Sequence, residues 1–426
     1  MANIFQRRLK KVISQMKRSG CESALLLASR QDAPYSRDTF YPYRPDSDIR
    51  YLTGFTGRDL TLVVSTKKPG VLIIVPPRDE LKVKWIGKPP NYAKLADTLG
   101  CKAVVSDDPT TEIRKALKGI DLLYYSPLPG TPSYAVVKEL FDTPFHRRKG
   151  MPFMFVQSEF LLKELRLYKS SDEIKAIKKA AAITNESLFD TVPFITDGAW
   201  EREIAETINY MIKLRGGGIA FNTIVASGKS AATLHYERLD KRLRTGDMLL
   251  IDCGASYDMY CADISRVLPV RGRFSDNQRK VYTAVLSAQK AAIRAVKDGV
   301  LLKTVYRAAA KVLANELKNM GILRGSLKSI MDKGSYKEFF PHGIGHSLGI
   351  DVHDVGSGHS PDTFRLRKGM VFTIEPGLYF DTKTGSIPPC GVRIEDDVLV
   401  TDDGCTVLSK GFPKEPDEIE ELMNRR

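Results

Sequence analysis

Residues 340–356 read FPHGIGHSLGIDVHDVG and hold His342, His346 and His353, half of the six histidines in a chain of 426 residues. His342 and His346 are four apart, the spacing of successive helical turns, but Gly343, Gly345 and Gly349 interleave with them. Glycines at that density oppose a helix. A glycine-rich bend instead lets the backbone approach a buried site closely. An isolated histidine is ordinarily a satisfied core or surface residue; three this close together point to a functional wall. Imidazole ligates Zn, Mn, Fe or Co, and a histidine beside a metal moves protons near neutral pH.

Two acidic positions precede this stretch, Asp252 and Asp263, and two follow it, Glu375 and Glu395. Residues 247–270, DMLLIDCGASYDMYCADISRVLPV, read as strand, turn and strand. A turn centred on Tyr257–Asp258 sets Asp252 directly opposite Asp263, with Cβ atoms ~5 Å apart. Two like charges that close repel unless a cation lies between them. The plainer reading has Asp252 capping the turn and Asp263 facing solvent. Glu375 closes VFTIE ahead of Pro376–Gly377. In GVRIEDDVLV, strand alternation puts Arg393 and Glu395 on one face, with Val392 and Ile394 on the other. The arginine holds the carboxylate ionised, as a metal ligand must be. The set is four carboxylates and one imidazole, with two carboxylates able to bridge a pair of ions. Oxygen-rich ligation with one nitrogen favours Mn2+ or a comparable ion over a thiolate zinc site. Cys253 and Cys261 are left out, because their offsets keep them from both facing the site.

Outward from these residues, the second part of the chain (158–426) reads as helices alternating with strands. Ser170 and Glu173 form a capping box that opens a helix over 172–189. A second helix over 199–214 stops at Gly216–Gly218. A third opens at the Ser275/Gln278 capping box, and a fourth spans about 303–320. Strands are expected at 221–226, 248–253, 262–270, 370–375 and 392–400. Helices segregated on a mostly antiparallel sheet make an α+β domain. The first part (1–157) alternates differently. A strand at 23–28, a hairpin from 60–65 and 71–76, helices at 92–99, 111–117 and 134–141, and strands at 103–106 and 122–126 imply an α/β domain. Asp46, Asp48 and Arg50 lie near Tyr51, where turn capping by aspartate is the expected role.

Two domains also suit the length. Hydrophobic residues at 42% and charged residues at 27% are ordinary for a soluble globular protein, and no apolar run approaches the ~18 residues of a membrane span. The first twenty residues are basic without a secretory signal's apolar core and cleavage site. Ile4, Phe5, Leu9, Val12, Ile13 and Met16 recur at helical spacing, so an amphipathic helix is expected, with an organellar transit peptide as the alternative. The six cysteines contain no C-x-x-C pair, and reduced thiols in the cytoplasm are expected. The net charge is +14, but residues 1–170 carry +12 of it and the remainder only +2. The basic excess is therefore absent from the histidine-rich part, and a solvated surface is expected, not a nucleic-acid site.

At this point the residues resemble a known family. HGIGHSLGIDVHD, VFTIEPGLY, GVRIEDD and FNTIVASG with the downstream LHY look like the aminopeptidase P and prolidase metallopeptidases, whose catalytic domain has the pita-bread fold. YPYRPDSDIRYLTGF is similar to the N-terminal domain of aminopeptidase P. The resemblance covers nearly the whole chain. It implies two divalent ions, with Asp252 a terminal ligand of one, Asp263 and Glu395 bridging, and His346 and Glu375 completing the second. Mn2+ is expected, with Zn2+ or Co2+ as alternatives. Glu375 would serve as general base. His235, His342 and His353 would position the substrate and stabilise developing charge. Tyr379 matches a tyrosine near the site, and Arg393 would orient the carboxylates.

The implied reaction removes an N-terminal residue that precedes proline, a bond most peptidases leave intact. The implied partners are such peptides and further copies of the chain, as a homodimer or homotetramer, with neither nucleic acid nor membrane. One departure stands out. Where family members carry a substrate-contacting arginine between His353 and Glu375, this chain has Asp362, and Arg365 is the nearest arginine. How the C-terminal side of the peptide is held thus lies outside what the resemblance implies. A dipeptidase of the same chemistry is the alternative. A non-catalytic pita-bread module is disfavoured because no ligand position is missing, and the long first domain disfavours a methionine aminopeptidase.

Overall fold

The structure is a computed structural model that describes residues 3–270, 272–356 and 360–425. The chain divides into two compact units, Met1–Arg166 and Leu167–Arg426.

In the first unit, six of the described strands form one mixed sheet. Its order is Lys102–Val105, Val71–Val75, Thr61–Ser65, Ser23–Ala28, Leu122–Tyr125, Met154–Val156. The hairpin joins its two strands in antiparallel register, with Val64 opposite Val71. The basic N-terminal segment is the helix Ile4–Met16, which buries Leu9, Val12 and Met16. Arg8 stays on the buried face by stacking 3.8 Å from the Tyr51 ring centroid and donating to the Tyr51 carbonyl. Asp46 caps the helix Ser47–Thr53 by accepting from two of its free N–H groups, a contact worth about 1 kcal/mol. The helix Glu80–Ile86 and the short hairpin Pro34–Ser36 with Thr39–Phe40 were not expected.

The second unit is α+β. Both capping boxes form, opening the helices Ser171–Thr191 and Asp276–Ala295. Glu201–Leu214 and Leu302–Asn319 are the other long helices. They cover antiparallel sheets, one of which runs Ile224–Ser227, Met248–Cys253, Ile264–Pro269. A large apolar cluster runs through these elements, including Ile212, Leu249, Ile251, Val285, Leu313, Phe372 and Val392.

Two sequence expectations are corrected here. The turn between the aspartates centres on Asp258–Met259, not Tyr257–Asp258, and both residues have positive φ (52° and 69°). That is the two-residue turn whose twist suits a hairpin. The shift by one position puts Ser265, not Asp263, opposite Asp252. The second correction concerns continuity. The expected strand 262–270 begins only at Ile264, with Ala262 and Asp263 in a break after the short strand Tyr260–Cys261, and 392–400 breaks into Cys390–Arg393 and Asp396–Val400. Asp263 and Glu395 lie in those two breaks, where the backbone is free to turn a side chain inward.

Candidate active site

The second unit contains a cleft of about 950 Å³ whose lining includes Asp252, Asp263, Glu375, Glu395, His235, His342, His346, His353 and Arg393. Its floor is built from strand ends. Asp252 is the penultimate residue of Met248–Cys253 and Glu375 follows Val371–Ile374. The histidine stretch crosses above them without helix, as its glycines required. At Gly345 a Cβ would collide with the Thr373 carbonyl oxygen, so only glycine lets the two segments meet there.

The His346 ring shows how the local fold frees one imidazole nitrogen. Its Nδ1 lies 3.1 Å from the Ser347 carbonyl oxygen. A carbonyl only accepts, so Nδ1 carries the proton and Nε2 presents its lone pair. Nε2 is 3.4 Å from Asp263 Oδ2 and 3.7 Å from Glu375 Oε1. Among the described residues, Asp263, His346 and Glu395 offer donor atoms within 4.8 Å of one another. The Thr373 hydroxyl accepts from the His346 N–H at 3.0 Å and donates to Glu375 Oε1 at 3.3 Å.

The carboxylates are crowded and short of partners. Asp252 Oδ1, Asp263 Oδ1 and Glu395 Oε1 are buried with no hydrogen-bond partner among the described residues. Burial, then the charges of Glu395 and Asp252, push the Asp263 carboxyl well above the usual carboxylate range. Burial, then Glu375 and Asp252, do the same to Glu395, although Arg393 and the Ser265 hydroxyl oppose the shift. Oxygens buried at this cost fit divalent cations, which supply the missing charge and take up the orphaned lone pairs. The donor set, carboxylate oxygens with one imidazole, is that of a hard or borderline ion.

A second chain of contacts lies behind the cleft. Arg393 donates to Asp252 Oδ2 at 2.6 Å, to Ser265 Oγ at 3.0 Å and to the Tyr379 hydroxyl at 3.1 Å. Tyr379 lies 2.9 Å from His342 Nε2, and His342 Nδ1 lies 2.9 Å from the Gly343 carbonyl. By the same argument as for His346, Nδ1 of His342 holds the proton and Nε2 accepts from Tyr379. Burial lowers the His342 pKa, and burial with the neighbouring His346 lowers that of His353. Both rings are neutral near pH 7. Burial raises the Tyr379 phenol to about 12, which keeps it a donor.

Of the ligand and substrate-wall candidates named in the sequence, together with Arg393, all but Tyr379 line the cleft, and Tyr379 touches it through His342 and Arg393. Asp362 pairs with Lys303, and Arg365 donates to the Gly299 carbonyl. Neither is among the described residues of the lining. Three supporting residues went unnoticed. Ser265 and Thr373 each sit two positions from a singled-out acid, and same-face spacing along a strand was the available signal. Glu201 had no local signal. Fully buried, it accepts from the Ser227 N–H and hydroxyl, the Tyr236 hydroxyl and the Lys241 N–H, and so fixes the segment that carries His235.

Residues 175–402 match the model of "Metallopeptidase family M24", and residues 5–124 match "Aminopeptidase P, N-terminal domain". The chain belongs to metallopeptidase family M24. It is 34% identical to the Xaa-Pro aminopeptidase of Haemophilus influenzae over 99% of this chain and 97% of that one. Aminopeptidase PepP of Pseudomonas aeruginosa has the same fold at 31% identity, with a TM-score of 0.91 over 100% of this chain and 99% of that one. A glutamate-to-alanine variant of Escherichia coli aminopeptidase P, solved in complex with substrate, matches at 30% identity and a TM-score of 0.90, over 99% and 98% of the two chains. The fold is therefore the expected pita-bread catalytic domain, preceded in the chain by an aminopeptidase P-type first domain.

Proposed function

We propose that the enzyme is an Xaa-Pro aminopeptidase that removes the N-terminal residue of peptides with proline at the second position. The observation that carries this reading is the set of four cleft carboxylates converging with His346, three of them with orphaned buried oxygens. Relatives named for this activity over essentially their whole length support it.

In this reading Asp252, Asp263, His346, Glu375 and Glu395 hold two divalent ions, Mn2+ by preference for the oxygen-rich set. When bound, the ions would act as Lewis acids on the scissile carbonyl and on the attacking water. The chain's own groups do the rest. Glu375, hydrogen-bonded by Thr373, takes the proton from the attacking water and returns it to the departing proline nitrogen. His342 and His353, neutral and facing the cleft, hydrogen-bond the peptide around the scissile bond. His235 closes the same side. Tyr379 and Arg393 hold His342 and Asp252 in place. The acidic floor receives the substrate's free amine.

A homodimer or homotetramer is carried over from the family resemblance. The cytoplasm is the location that the six free cysteines support. Among the described residues no helix is long and apolar enough to cross a membrane.

The test is hydrolysis of Xaa-Pro-Xaa, Xaa-Pro and Met-Ala-Xaa peptides by chelated enzyme, with Mn2+, Co2+ or Zn2+ added back. Metal-restored cleavage of Xaa-Pro-Xaa is expected to be fastest. Faster cleavage of Xaa-Pro dipeptides assigns a prolidase instead, and activity that survives chelation overturns both.

A further inference from the structure

The motif GVRIEDD contains two aspartates after Glu395 that the proposed reaction does not use, and both are buried (Asp396 1%, Asp397 0% exposed). Arg266, three residues after Asp263, is equally buried at 1%. Their contacts cross between the two strand breaks that carry Asp263 and Glu395. Asp397 Oδ2 accepts the backbone N–H of Asp263 at 3.2 Å. In the other direction, Arg266 Nη1 donates to the backbone carbonyl of Glu395 at 2.6 Å and to that of Ser265 at 3.0 Å. The Glu395 N–H bonds the Ser265 carbonyl at 3.1 Å, and the Ser265 hydroxyl donates to Glu395 Oε2 at 2.7 Å.

Asp396 anchors this arrangement from behind. It accepts from Arg266 Nη2 at 2.9 Å, from Ser409 Oγ at 2.9 Å, from Gln289 Nε2 at 2.7 Å and from Lys414 Nζ. The arginine is thus neutralised and aimed by one acid while it grips the neighbouring residue's carbonyl. The Ser409 hydroxyl also accepts the Asp397 N–H at 3.0 Å, which fixes the backbone of the second acid. Segments 263–266 and 395–397 are therefore bound reciprocally, each holding the main chain of the other's cleft carboxylate.

The need for such a clasp follows from the breaks themselves. Asp263 and Glu395 lie outside the regular ladders, so neither inherits its position from strand pairing. Their carboxylates are also buried close together, where like charges repel.

We infer that Asp397 and Arg266 are positioning residues that fix the separation of Asp263 and Glu395, and thereby the paired-ion geometry. This rests on the metal-site reading above. The mechanism is geometric: an acceptor must stand at Asp397 Oδ2 to hold the Asp263 N–H, and a charge at that position is not required.

Two substitutions separate these terms. Asp397→Asn keeps a carbonyl oxygen that accepts the Asp263 N–H; Asp397→Ala removes it. Mn2+ is titrated into chelated full-length protein by calorimetry, with circular dichroism to confirm folding. Wild type is expected to bind two ions per chain. In Asp397→Ala the weaker ion's Kd is expected to rise about 10- to 100-fold, as for other residues that orient ligands. Asp397→Asn is expected to stay close to wild type and to rescue kcat. If Asp397→Ala is unfolded, Asp397→Asn carries the test alone, and loss of the second ion from it overturns the inference. Folded Asp397→Ala binding both ions at wild-type affinity overturns it too. A wild-type chain that binds no ion defeats the metal-site reading itself, an outcome distinct from either.

Discussion

Arg393 Nη2 lies 2.6 Å from Asp252 Oδ2, with the arginine side chain 5% exposed and the aspartate 11%. The same guanidinium reaches Ser265 and Tyr379, so one planar cation ties a floor carboxylate to the hydroxyl that orients His342. Replacing it leaves Asp252 buried without its partner. Arg393→Ala is expected to lose about 3–5 kcal/mol of stability, the usual cost of breaking a buried pair from one side. Arg393→Lys is expected to recover only part, because an ammonium cannot span three acceptors in one plane. Urea unfolding of the two variants measures both effects; a change within about 0.5 kcal/mol, typical of surface substitutions, contradicts this role.

His235 sits at the exposed side of the cleft, on a segment fixed by the Glu201–Tyr236 contact of 2.8 Å. His235→Ala is expected to keep both ions and lose kcat by about 10²–10⁴-fold. Loss of an ion from this variant places His235 among the ligands and contradicts its assignment to the substrate. Tyr236→Phe is expected to cost about 1 kcal/mol through the lost hydrogen bond, read from the thermal midpoint.

The ion-free protein has an unusual pH dependence built into its cleft. Asp263 and Glu395 have folded-state pKa values raised well above their ordinary ones. Between the ordinary and raised values, the folded chain holds more protons than the unfolded chain. Stability of the chelated protein therefore falls as pH rises above about 4, until the folded-state values are passed. Cations displace those protons, so the rise in Tm produced by Mn2+ is expected to grow between pH 5 and 8. Scanning calorimetry across that range checks the sign; a rise that is flat or shrinks with pH contradicts it.

Lys169 and Asp354 form an ion pair at 3.1 Å with side chains 1% and 2% exposed. Asp354 directly follows His353, and its N–H bonds the Ser347 carbonyl at 2.9 Å. Asp354→Ala is expected to destabilise by about 3–5 kcal/mol and to raise KM as the His353 wall loosens. Asp354→Asn separates packing from charge. Unchanged KM in a folded variant contradicts the connection to His353.

Much of this site was legible because its chemistry is written in types rather than contacts. Three histidines among glycines, and acids at the ends of apolar strands, have few uses besides metal and proton chemistry. Capping boxes at Ser170 and Ser275 were readable because both partners are local. What failed was non-local. The turn register depends on Met259 adopting positive φ, which nothing in its side chain favours. The breaks at Asp263 and Glu395 are invisible to alternation, since the residues on either side keep the strand pattern. Arg266 and Asp397 read as ordinary strand residues until the two segments are seen side by side. Glu201 is given its role by donors supplied from three separate parts of the chain.

Asp263 is expected to belong to a site for two divalent ions on which peptide cleavage depends. Ions per chain, counted after chelated wild-type and Asp263→Asn proteins are reloaded with Mn2+ and desalted, test it most directly. The expected result is two ions in the wild type, fewer in the variant, and parallel loss of Xaa-Pro-Xaa hydrolysis. An Asp263→Asn protein that retains both ions and its activity contradicts the account.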